Sequence, residues 1–366
     1  MEVPVSIKDE RLKVKVLFLT PWYPSEKDAM SGLFVQKHVE AVRAQGVDVR
    51  VIFSQTWRDT WRQWKALQRE GWKPDLVQLN VIQKQGLLAL WLKRRFGIPY
   101  VIIEHWSGYL PENGTYMQLS RFQRTFYQQI AAQASMILTV SDRHAQAMQD
   151  CGIRNALWGR INNVVDDFFY EKSDRIQKDT NISGSIEKKT LLHVSCFDER
   201  AKNVKSLLRA AKMLSEQRQD WRLVLVGTGV DYEEVCSYAQ TLSIPEGLLE
   251  WTGELTPHEV AATFDQADAF VLSSRYENAP VVISESLAKG VPVIATRVGG
   301  IPEMVNEQCG ILVSPDKDQE LAEAMDTMLD HFQEYDRETI RKEGEKYSFA
   351  AVGKDFKKIY EQVRMD

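Results

Sequence analysis

Short runs of β-branched and other apolar residues alternate along the chain with longer stretches in which apolar residues recur every three or four positions. The first pattern predicts buried strands, and the second predicts amphipathic helices. Regular alternation of the two is typical of parallel α/β sheets, because parallel strands need a crossover connection. Strands are predicted at 13–19, 47–53, 75–79, 99–104, 135–140, 190–195, 221–226, 248–251, 269–274, 292–296 and 310–314.

The strands fall into two groups, and 366 residues suit two domains of similar size. Residues 167–189 are polar, contain Ser-Gly-Ser and break the periodicity, so they are predicted to be the linker. One Rossmann-like domain is predicted over 1–166 and another over 190–348. Parallel sheets bind ligands at the carboxyl ends of their strands, so the site is expected in the loops that follow strands.

The composition is that of a globular protein, with 44% hydrophobic and 27% charged residues, which excludes disordered, collagen-like and coiled-coil chains. The four cysteines are far apart and have no C-x-x-C spacing, which indicates a reducing compartment rather than a zinc ribbon or a disulfide scaffold. The histidines show no metal-ligand spacing, so no metal is expected. No signal peptide or membrane-spanning run is visible, and a cytoplasmic location is expected.

Charge is distributed unevenly. Residues 1–185 carry 25 Lys and Arg against 19 Asp and Glu, net +6, whereas residues 186–366 carry 21 against 32, net −11. Residues 54–72 are predicted to form a helix that has Trp57, Trp61 and Trp64 on one face and cations on the next. Two interpretations stay open: peripheral docking on the membrane, or a tryptophan face packed on the first sheet.

The candidate chemistry is densest after the strand at 269–274. Glu277 and Glu285 stand eight residues apart around the start of a helix that Pro280 opens. The free N–H groups of the first turn, 281–283, could hold a phosphate, and the carboxylates could accept hydrogen bonds from sugar hydroxyls. Two glutamates that complement the helix dipole are the structural alternative. A dinucleotide redox site is excluded, because "VLVGTG" lacks the third glycine of G-x-G-x-x-G.

The segment "SSRYENAPVVISESLAKGVPVIATRVGGIPEMV" contains this pair. Together with "HVSCFDERAKNVKSLLRAAKML", "TPWYPSEKDAMSGLFVQKHVEAVRAQGVDVRVI" and "NNVVDDFF", it resembles the retaining glycosyltransferases of family 4 and their E-x7-E motif. The resemblance extends over nearly the whole chain. It implies the GT-B fold, in which two Rossmann-like parallel-sheet domains face a central cleft. The first domain would bind the acceptor and the second the nucleotide sugar, and a C-terminal helix, 349–366, would cross back to the first.

The resemblance also implies roles for individual residues. Glu277 and His105 would contact the transferred sugar, and Lys202 would neutralise the departing diphosphate. Glu285 would bind the ribose. One position departs from the family, which commonly has an arginine where this chain has Cys196; Arg200 either compensates or is an exposed structural residue. The full set of expected donor-binding residues is Gly32, Arg200, Asn278, Ala279, Pro280, Val281, Val282 and Glu285.

The implied function is transfer of a hexose-type sugar, with retention, from a nucleotide-diphosphate sugar to a hydroxyl of a glycan or lipid-linked glycan. The resemblance further implies a front-face reaction without a protein nucleophile, a role in cell-surface polysaccharide biosynthesis, and no cofactor. No nucleic-acid partner is expected. Two alternatives stay open, namely a sugar-nucleotide epimerase of the same fold and a catalytically inactive glycan-binding relative.

Overall fold

Two parallel six-stranded sheets form the framework of the chain, and helices cover both faces of each. The computed structural model describes residues 14–26, 28, 31–171 and 188–365. The first sheet has the strand order β2-β1-β3-β4-β5-β6. Its strands are β1 (Lys15–Thr20), β2 (Asp48–Phe53), β3 (Leu76–Asn80), β4 (Tyr100–Glu104), β5 (Met136–Thr139) and β6 (Trp158–Arg160); its helices are α1 (Leu33–Ala44), α2 (Trp57–Arg69), α3 (Gly86–Phe96), α4 (Thr115–Gln118), α5 (Arg121–Gln133) and α6 (Asp142–Asp150).

The second sheet has the strand order β12-β11-β10-β7-β8-β9. Its strands are β7 (Lys189–Val194), β8 (Trp221–Val226), β9 (Leu249–Gly253), β10 (Ala269–Leu272), β11 (Val293–Thr296) and β12 (Gly310–Val313). The helices that follow are α7 (Glu199–Lys202), α8 (Val204–Ser215), α9 (Tyr232–Thr241), α10 (Pro257–Gln266), α11 (Val281–Lys289), α12 (Asp318–His331), α13 (Arg337–Gly344) and α14 (Phe349–Met365). Single 3₁₀ turns lie at Ser107–Tyr109, Asp167–Phe169, Ile301–Glu303, Phe332–Glu334 and Glu345–Tyr347.

The predicted α/β class with two parallel sheets is confirmed, and every predicted strand is present. The strand that the sequence pattern missed is β6, which has three half-buried residues at the edge of the first sheet. Its sequence, Trp-Gly-Arg, carries no β-branched run, and its place in the sheet depends on backbone pairing with β5. A strand of this kind has no local hydrophobic signal.

Alternate residues of β1 explain how the first sheet is covered. Leu17 and Leu19 face one core with the side chains of α2 and α3, whereas Val16 and Phe18 face the other with those of α1. Phe356 of α14 is buried in that second core, so the C-terminal helix returns to the first sheet as expected. Helix α14 therefore joins the two halves, because it follows the helices of the second sheet in the chain and packs on the first sheet.

The chain first crosses between the halves near residue 165. Val164 packs in a core of the first sheet, and Val165 packs in a core of the second. The Val165 N–H donates to the Tyr347 carbonyl at 2.9 Å, which brings the two crossing segments side by side. Most of the predicted linker, residues 172–187, lies outside the described residues, whereas Phe169 at its start is buried against the second sheet.

The strand order of each sheet shows where its ligand-binding crevice lies. In the first sheet the order reverses between β1 and β3, and in the second it reverses between β7 and β10. Ligands of open α/β sheets bind at the carboxyl ends of strands at such reversal points. The loops after β7 and β10 carry Lys202 and Glu277, and the loop after β4 carries His105 from the opposite sheet. The predicted chemistry therefore lies at the edges that the topology favours.

Candidate active site

A cavity of about 400 Å³ lies between the two sheets. It brings together six of the predicted site residues. The cavity wall includes His105, Lys202, Glu277, Asn278, Ala279 and Val281, and it also includes Phe34, Asn113, Asn163, Cys196 and Tyr276. Side chains from both halves therefore meet around one space.

The ion pair of Lys202 and Glu277 is the main charged feature of this cavity. Lys202 Nζ lies 2.5 Å from Glu277 Oε1, and the two side chains are only 17% and 11% exposed. Burial is the largest influence on Lys202 and opposes its charge, but Glu277, Cys196 and Asp198 together outweigh burial, and the pKa of Lys202 is raised. The lysine is therefore charged at neutral pH, and in the absence of substrate its charge is balanced by the glutamate. A buried charge left without this partner would be costly.

Lys202 ends α7, and a polar network fixes that helix. The Asp198 carboxylate caps α7 by accepting from the backbone N–H groups of Arg200 and Ala201. Asn203, which follows the lysine, has a left-handed backbone with φ 52° and separates α7 from α8. The Arg275 guanidinium, from the loop after β10, donates to the Glu199 carbonyl at 2.7 Å and to Asn203 Oδ1 at 2.6 Å. The two loops that carry the ion pair are thus tied together.

The position of Glu277 is fixed by neighbouring residues that the sequence pattern did not single out. Ser274 is fully buried, and its hydroxyl donates to Glu277 Oε1 at 2.8 Å. Gly299 has φ +51°, and a Cβ built on it would lie 1.6 Å from the Glu277 carbonyl oxygen. Only a glycine lets the 298–300 turn approach so closely. The Gly-Gly turn is therefore a support for Glu277.

His105 projects into the same cavity from the first sheet. Glu104 is fully buried at the end of β4 and accepts from the N–H groups of Ile82, His105 and Trp106 at 3.0–3.1 Å. These bonds fix the backbone on which His105 stands. Burial lowers the pKa of His105 well below its usual value, and His38 and His144 lower it further. His105 is therefore a neutral imidazole.

The amino end of α11 faces this space through Val281. The N–H groups of Val281 and Val282 are in the first turn and have no partner within the helix. The Ile283 N–H, which the sequence also suggested for a phosphate, donates instead to the Pro280 carbonyl at 3.1 Å. Two of the three expected amides therefore keep the capacity to hold a phosphate oxygen.

Glu285 lies one turn into α11 and does not line the cavity. Burial raises the pKa of its carboxyl to about 7, while the nearby Lys37 lowers it and Asp166 raises it. Lys37 is itself paired with Asp166 at 2.8 Å. The side chain thus lies among charges of α1 and the crossover segment.

Four other predicted residues are also outside the cavity wall, namely Gly32, Arg200, Pro280 and Val282. Gly32 begins α1 with φ +68°, and a Cβ there would lie 2.3 Å from the Trp22 backbone, so the position requires glycine for chain packing. Arg200 is exposed and donates to the Asn113 carbonyl at 2.7 Å across the cleft. Cys196 is exposed and lines the cavity beside Lys202. Among the described residues that line the cavity there is no arginine, so no guanidinium replaces the thiol of Cys196 there.

Both halves of the chain match models of known protein families. The model of the glycosyl transferase 4-like domain matches residues 11–163, and the model of glycosyl transferases group 1 matches residues 175–347. The two matches together span both sheets. The chain belongs to the glycosyltransferases that combine these two domains. The resemblance seen in the sequence is thereby confirmed at the level of the family.

Individual relatives agree with the family. The N-acetyl-alpha-D-glucosaminyl L-malate synthase of Bacillus anthracis is 34% identical over 146 residues, which cover 40% of this chain and 37% of that protein. The putative teichuronic acid biosynthesis glycosyltransferase TuaC of Bacillus subtilis is 23% identical over 87% of this chain and 90% of its own.

Solved structures agree with the fold. The sucrose-phosphate synthase of Thermosynechococcus elongatus superposes with a TM-score of 0.78 at 19% identity, covering 96% of this chain and 99% of its own. Anabaena Alr3699/HepE, in complex with UDP and glucose, gives a TM-score of 0.72 at 20% identity, with 95% and 99% covered. These likenesses place the glycosyltransferase in the GT-B architecture.

The two halves of this glycosyltransferase are clamped by Glu303. Its carboxylate, from the turn after Gly-Gly, accepts from the N–H groups of Asp142 and Arg143, both at 2.9 Å, at the amino end of α6. Arg160 adds an ion pair at 2.7 Å. Asn278 Nδ2 donates across the cleft to the His105 carbonyl at 2.7 Å. In the described conformation the two halves are therefore in direct contact around the cavity.

The tryptophan helix of the glycosyltransferase is α2. Trp64 is 2% exposed and belongs to the first core, and Trp61 packs against that core. Trp57 stacks on Trp61 with 5.6 Å between ring centroids and stays partly exposed. Most of the tryptophan face is thus occupied by packing on the first sheet, which is the second of the two interpretations.

The described residues contain neither a metal-binding cluster nor a membrane-spanning helix. Among the described residues, no group of three His, Cys, Asp or Glu side chains could hold a metal ion. In the same part of the glycosyltransferase, no helix is long and apolar enough to cross a membrane.

Proposed function

We propose that this glycosyltransferase moves a hexose-type sugar, with retention of configuration, from a nucleotide-diphosphate sugar to a hydroxyl of a glycan or lipid-linked glycan. The observation that carries the proposal is the largely buried Lys202–Glu277 pair beside the amino end of α11, in a cavity that both halves line. The UDP complexes of the Anabaena relative support a nucleotide sugar as donor. The teichuronic acid assignment of TuaC supports a role in cell-surface polysaccharide biosynthesis.

The ion pair suggests how the site accepts its donor. Without substrate, Lys202 and Glu277 neutralise each other. When a diphosphate enters, Lys202 can turn to its oxygens, and the Val281 and Val282 N–H groups bind from the helix end. Glu277 is then free to accept from a sugar hydroxyl while Ser274 holds it in place. This exchange of partners thus prepares the site for both the diphosphate and the sugar of the donor.

Chemistry in this site is then mainly charge neutralisation and orientation. The bond between the anomeric carbon and the phosphate oxygen breaks, and the bond to the acceptor oxygen forms on the same face of the sugar. The acceptor proton passes to the departing phosphate oxygen. Lys202 stabilises the negative charge that accumulates on the diphosphate, and neutral His105 contacts the sugar.

Three further residues that the family resemblance assigns to the donor lie outside the cavity wall. Glu285 is proposed to bind the ribose hydroxyls from the second turn of α11. Glu285, Gly32 and Arg200 do not line the cavity as described, so each of them would contact the donor only after a rearrangement of the cleft.

The test begins with thermal unfolding in the presence of UDP-glucose, UDP-galactose, UDP-N-acetylglucosamine and GDP-mannose. A true donor stabilises the native state by mass action. Proton NMR of the stabilising donor with enzyme, with and without a glycan acceptor, then identifies the reaction. Acceptor-dependent formation of a product with the donor's anomeric configuration is expected.

Three other outcomes would contradict the proposal. Conversion of the donor to another sugar nucleotide without acceptor would indicate an epimerase. Donor binding without any conversion, across a panel of glycan acceptors, would indicate an inactive binding protein. A product of opposite anomeric configuration would contradict retention.

As a variant test, Lys202→Met should reduce transfer by orders of magnitude, and Lys205→Met, on the neighbouring helix, should not.

A further inference from the structure

Glu104 is a carboxyl group buried between the two loops that follow β3 and β4. Its side chain is fully buried at the carboxyl end of β4. Oε1 accepts from the N–H groups of His105 and Trp106 at 3.1 and 3.0 Å, and Oε2 accepts from the Ile82 N–H at 3.0 Å. The carboxylate therefore binds the turn that carries His105 to the loop after β3.

The loop after β3 has a backbone conformation that needs such support. Val81 has φ 64°, in the left-handed region, which a β-branched residue rarely adopts. Strained backbone of this kind persists only where the surrounding structure fixes it, and it is concentrated at functional sites. The Val81 N–H donates to the Ile103 carbonyl at 2.8 Å, and the next N–H, of Ile82, donates to Glu104. Glu104 thus supplies one of the contacts that hold the strained loop beside β4.

The three contacts depend on the charge of Glu104. An ionised carboxylate only accepts hydrogen bonds, and all three partners are N–H donors. A proton on either oxygen turns that oxygen into a donor and weakens at least one contact. Burial raises the pKa of Glu104 to about 7, although the three N–H groups and Tyr109 lower it. The contacts are therefore complete above about pH 7 and weaken as the pH falls below it.

The titratable groups around Glu104 keep one charge state in this range. Tyr109, from the turn after His105, and Tyr127, from α5, interact with Glu104, and burial raises the pKa of both above the usual tyrosine value. Both are therefore neutral at neutral pH. The nearby histidines are also neutral, because burial lowers their pKa; they are His38, His105 and His144. A change of charge near pH 7 among these groups therefore belongs to Glu104.

We propose that Glu104 is a positioning residue for sugar transfer: its ionised carboxylate holds the turn that carries His105 against the loop after β3, and protonation releases that turn. The inference rests on the proposed function, in which His105 contacts the transferred sugar. Glu104 does not line the cavity, so it acts through His105 and not by touching the substrate. Neither the sequence pattern nor the family resemblance assigned it a role.

The first measurement follows the His105 imidazole by NMR as a function of pH. Histidine labelled with ¹³C at Cε1 gives one ring signal for each of the 6 histidines, and comparison with His105→Ala identifies the signal of His105. Because His105 is neutral, the signal reports its surroundings. In the native protein we expect an inflection near pH 7. In Glu104→Gln we expect no inflection between about pH 5 and about pH 9.

Glu285 provides a matched control, because burial raises the pKa of its carboxyl to about 7 as well. It lies on α11 in the other half, and Glu285→Gln should leave the His105 inflection in place. An inflection that persists in Glu104→Gln, or that disappears in Glu285→Gln, would overturn the inference, and so would a native signal without an inflection. If Glu104→Gln does not fold, Glu104→Asp keeps the charge on a shorter side chain and should move the midpoint; an unmoved midpoint would overturn the inference too.

The second measurement is a double-mutant cycle on kcat/KM for the donor that the native enzyme uses, at a pH above that of the inflection. Glu104→Gln should lower kcat/KM by at least about tenfold in the native background, because a misplaced imidazole no longer meets the sugar. In the His105→Ala background the same substitution should lower kcat/KM by less than about twofold, since its target is absent.

An equal loss in both backgrounds would indicate a purely structural role and would overturn the inference. If the native enzyme transfers no sugar from the donor panel, the proposed function fails, and the role of Glu104 in transfer fails with it. The His105 titration distinguishes the two failures, because it reports whether Glu104 holds His105 without any need for transfer.

Discussion

Replacement of Gly299 by alanine tests the support of Glu277. Gly299 combines a left-handed backbone, φ +51°, with a Cβ position only 1.6 Å from the Glu277 carbonyl oxygen. Gly253 offers a matched control in the same half. It has φ +69°, and nothing lies within 4 Å of its Cβ position.

The two variants share one cost and differ in another. An alanine in a left-handed conformation costs about 1–2 kcal/mol at either position. Only Gly299→Ala also meets an overpacked neighbour, which costs about 1–3 kcal/mol more. We therefore expect Gly299→Ala to lower the free energy of unfolding by about 2–5 kcal/mol and Gly253→Ala by about 1–2 kcal/mol.

Urea unfolding followed by circular dichroism measures the stability difference, and a transfer assay measures the effect on the site. If Gly299→Ala shifts the Glu277 backbone, the contact with Lys202 is disturbed, and transfer should fall by at least about tenfold, the equivalent of about 1.4 kcal/mol. Gly253→Ala should transfer at close to the native rate. Equal stability of the two variants, or native transfer by Gly299→Ala, would refute the proposed support.

Three further predictions follow from the same contacts. Glu303→Gln should weaken the clamp between the halves, because hydrogen bonds to a charged group contribute about 1.5–3 kcal/mol; small-angle X-ray scattering should show a larger radius of gyration than for the exposed control Glu307→Gln, and equal radii would contradict the clamp. Cys196 should be alkylated faster than buried Cys309, and UDP or GDP should slow its alkylation; labelling that no nucleotide slows would contradict its place at the donor site. The pKa of Glu285 is raised to about 7, so the native state holds its proton more tightly than the unfolded state does. This contribution to stability is present below the ordinary glutamate pKa and is lost as pH rises toward 7, by at most about 1.4 kcal/mol per pH unit. Glu285→Gln should therefore gain stability relative to the native protein across that window, and a pH-independent difference would contradict the assignment.

The strands of both sheets could be predicted because a buried parallel strand is a continuous apolar run, which is a local signal. The strand pattern also indicated where Lys202 and Glu277 lie, because Glu277 is in the loop after β10 and Lys202 ends the short helix after β7. Helix α2 was also predictable from periodicity. The choice between core and membrane for Trp64 was not, because a tryptophan face looks the same in the sequence whichever surface it meets.

The supporting residues depend on contacts that the sequence does not display. Ser274 and Gly299 act on Glu277 from different segments, and the approach of Gly299 exists only once the second sheet has formed. Glu303 binds α6 of the other half, 160 residues away along the chain. Such residues can be identified only from the tertiary structure, whereas Lys202 and Glu277 could be identified from sequence motifs.

The most direct test of the account is calorimetric titration of UDP and GDP into the native protein, Lys202→Met and Lys205→Met. We expect one of the nucleotides to bind the native protein and Lys205→Met with similar affinity. Binding to Lys202→Met should be at least about tenfold weaker, because a hydrogen-bonded buried charge contributes about 1.5–3 kcal/mol. Failure of both nucleotides to bind, or equal binding to all three proteins, would contradict a donor site built on Lys202.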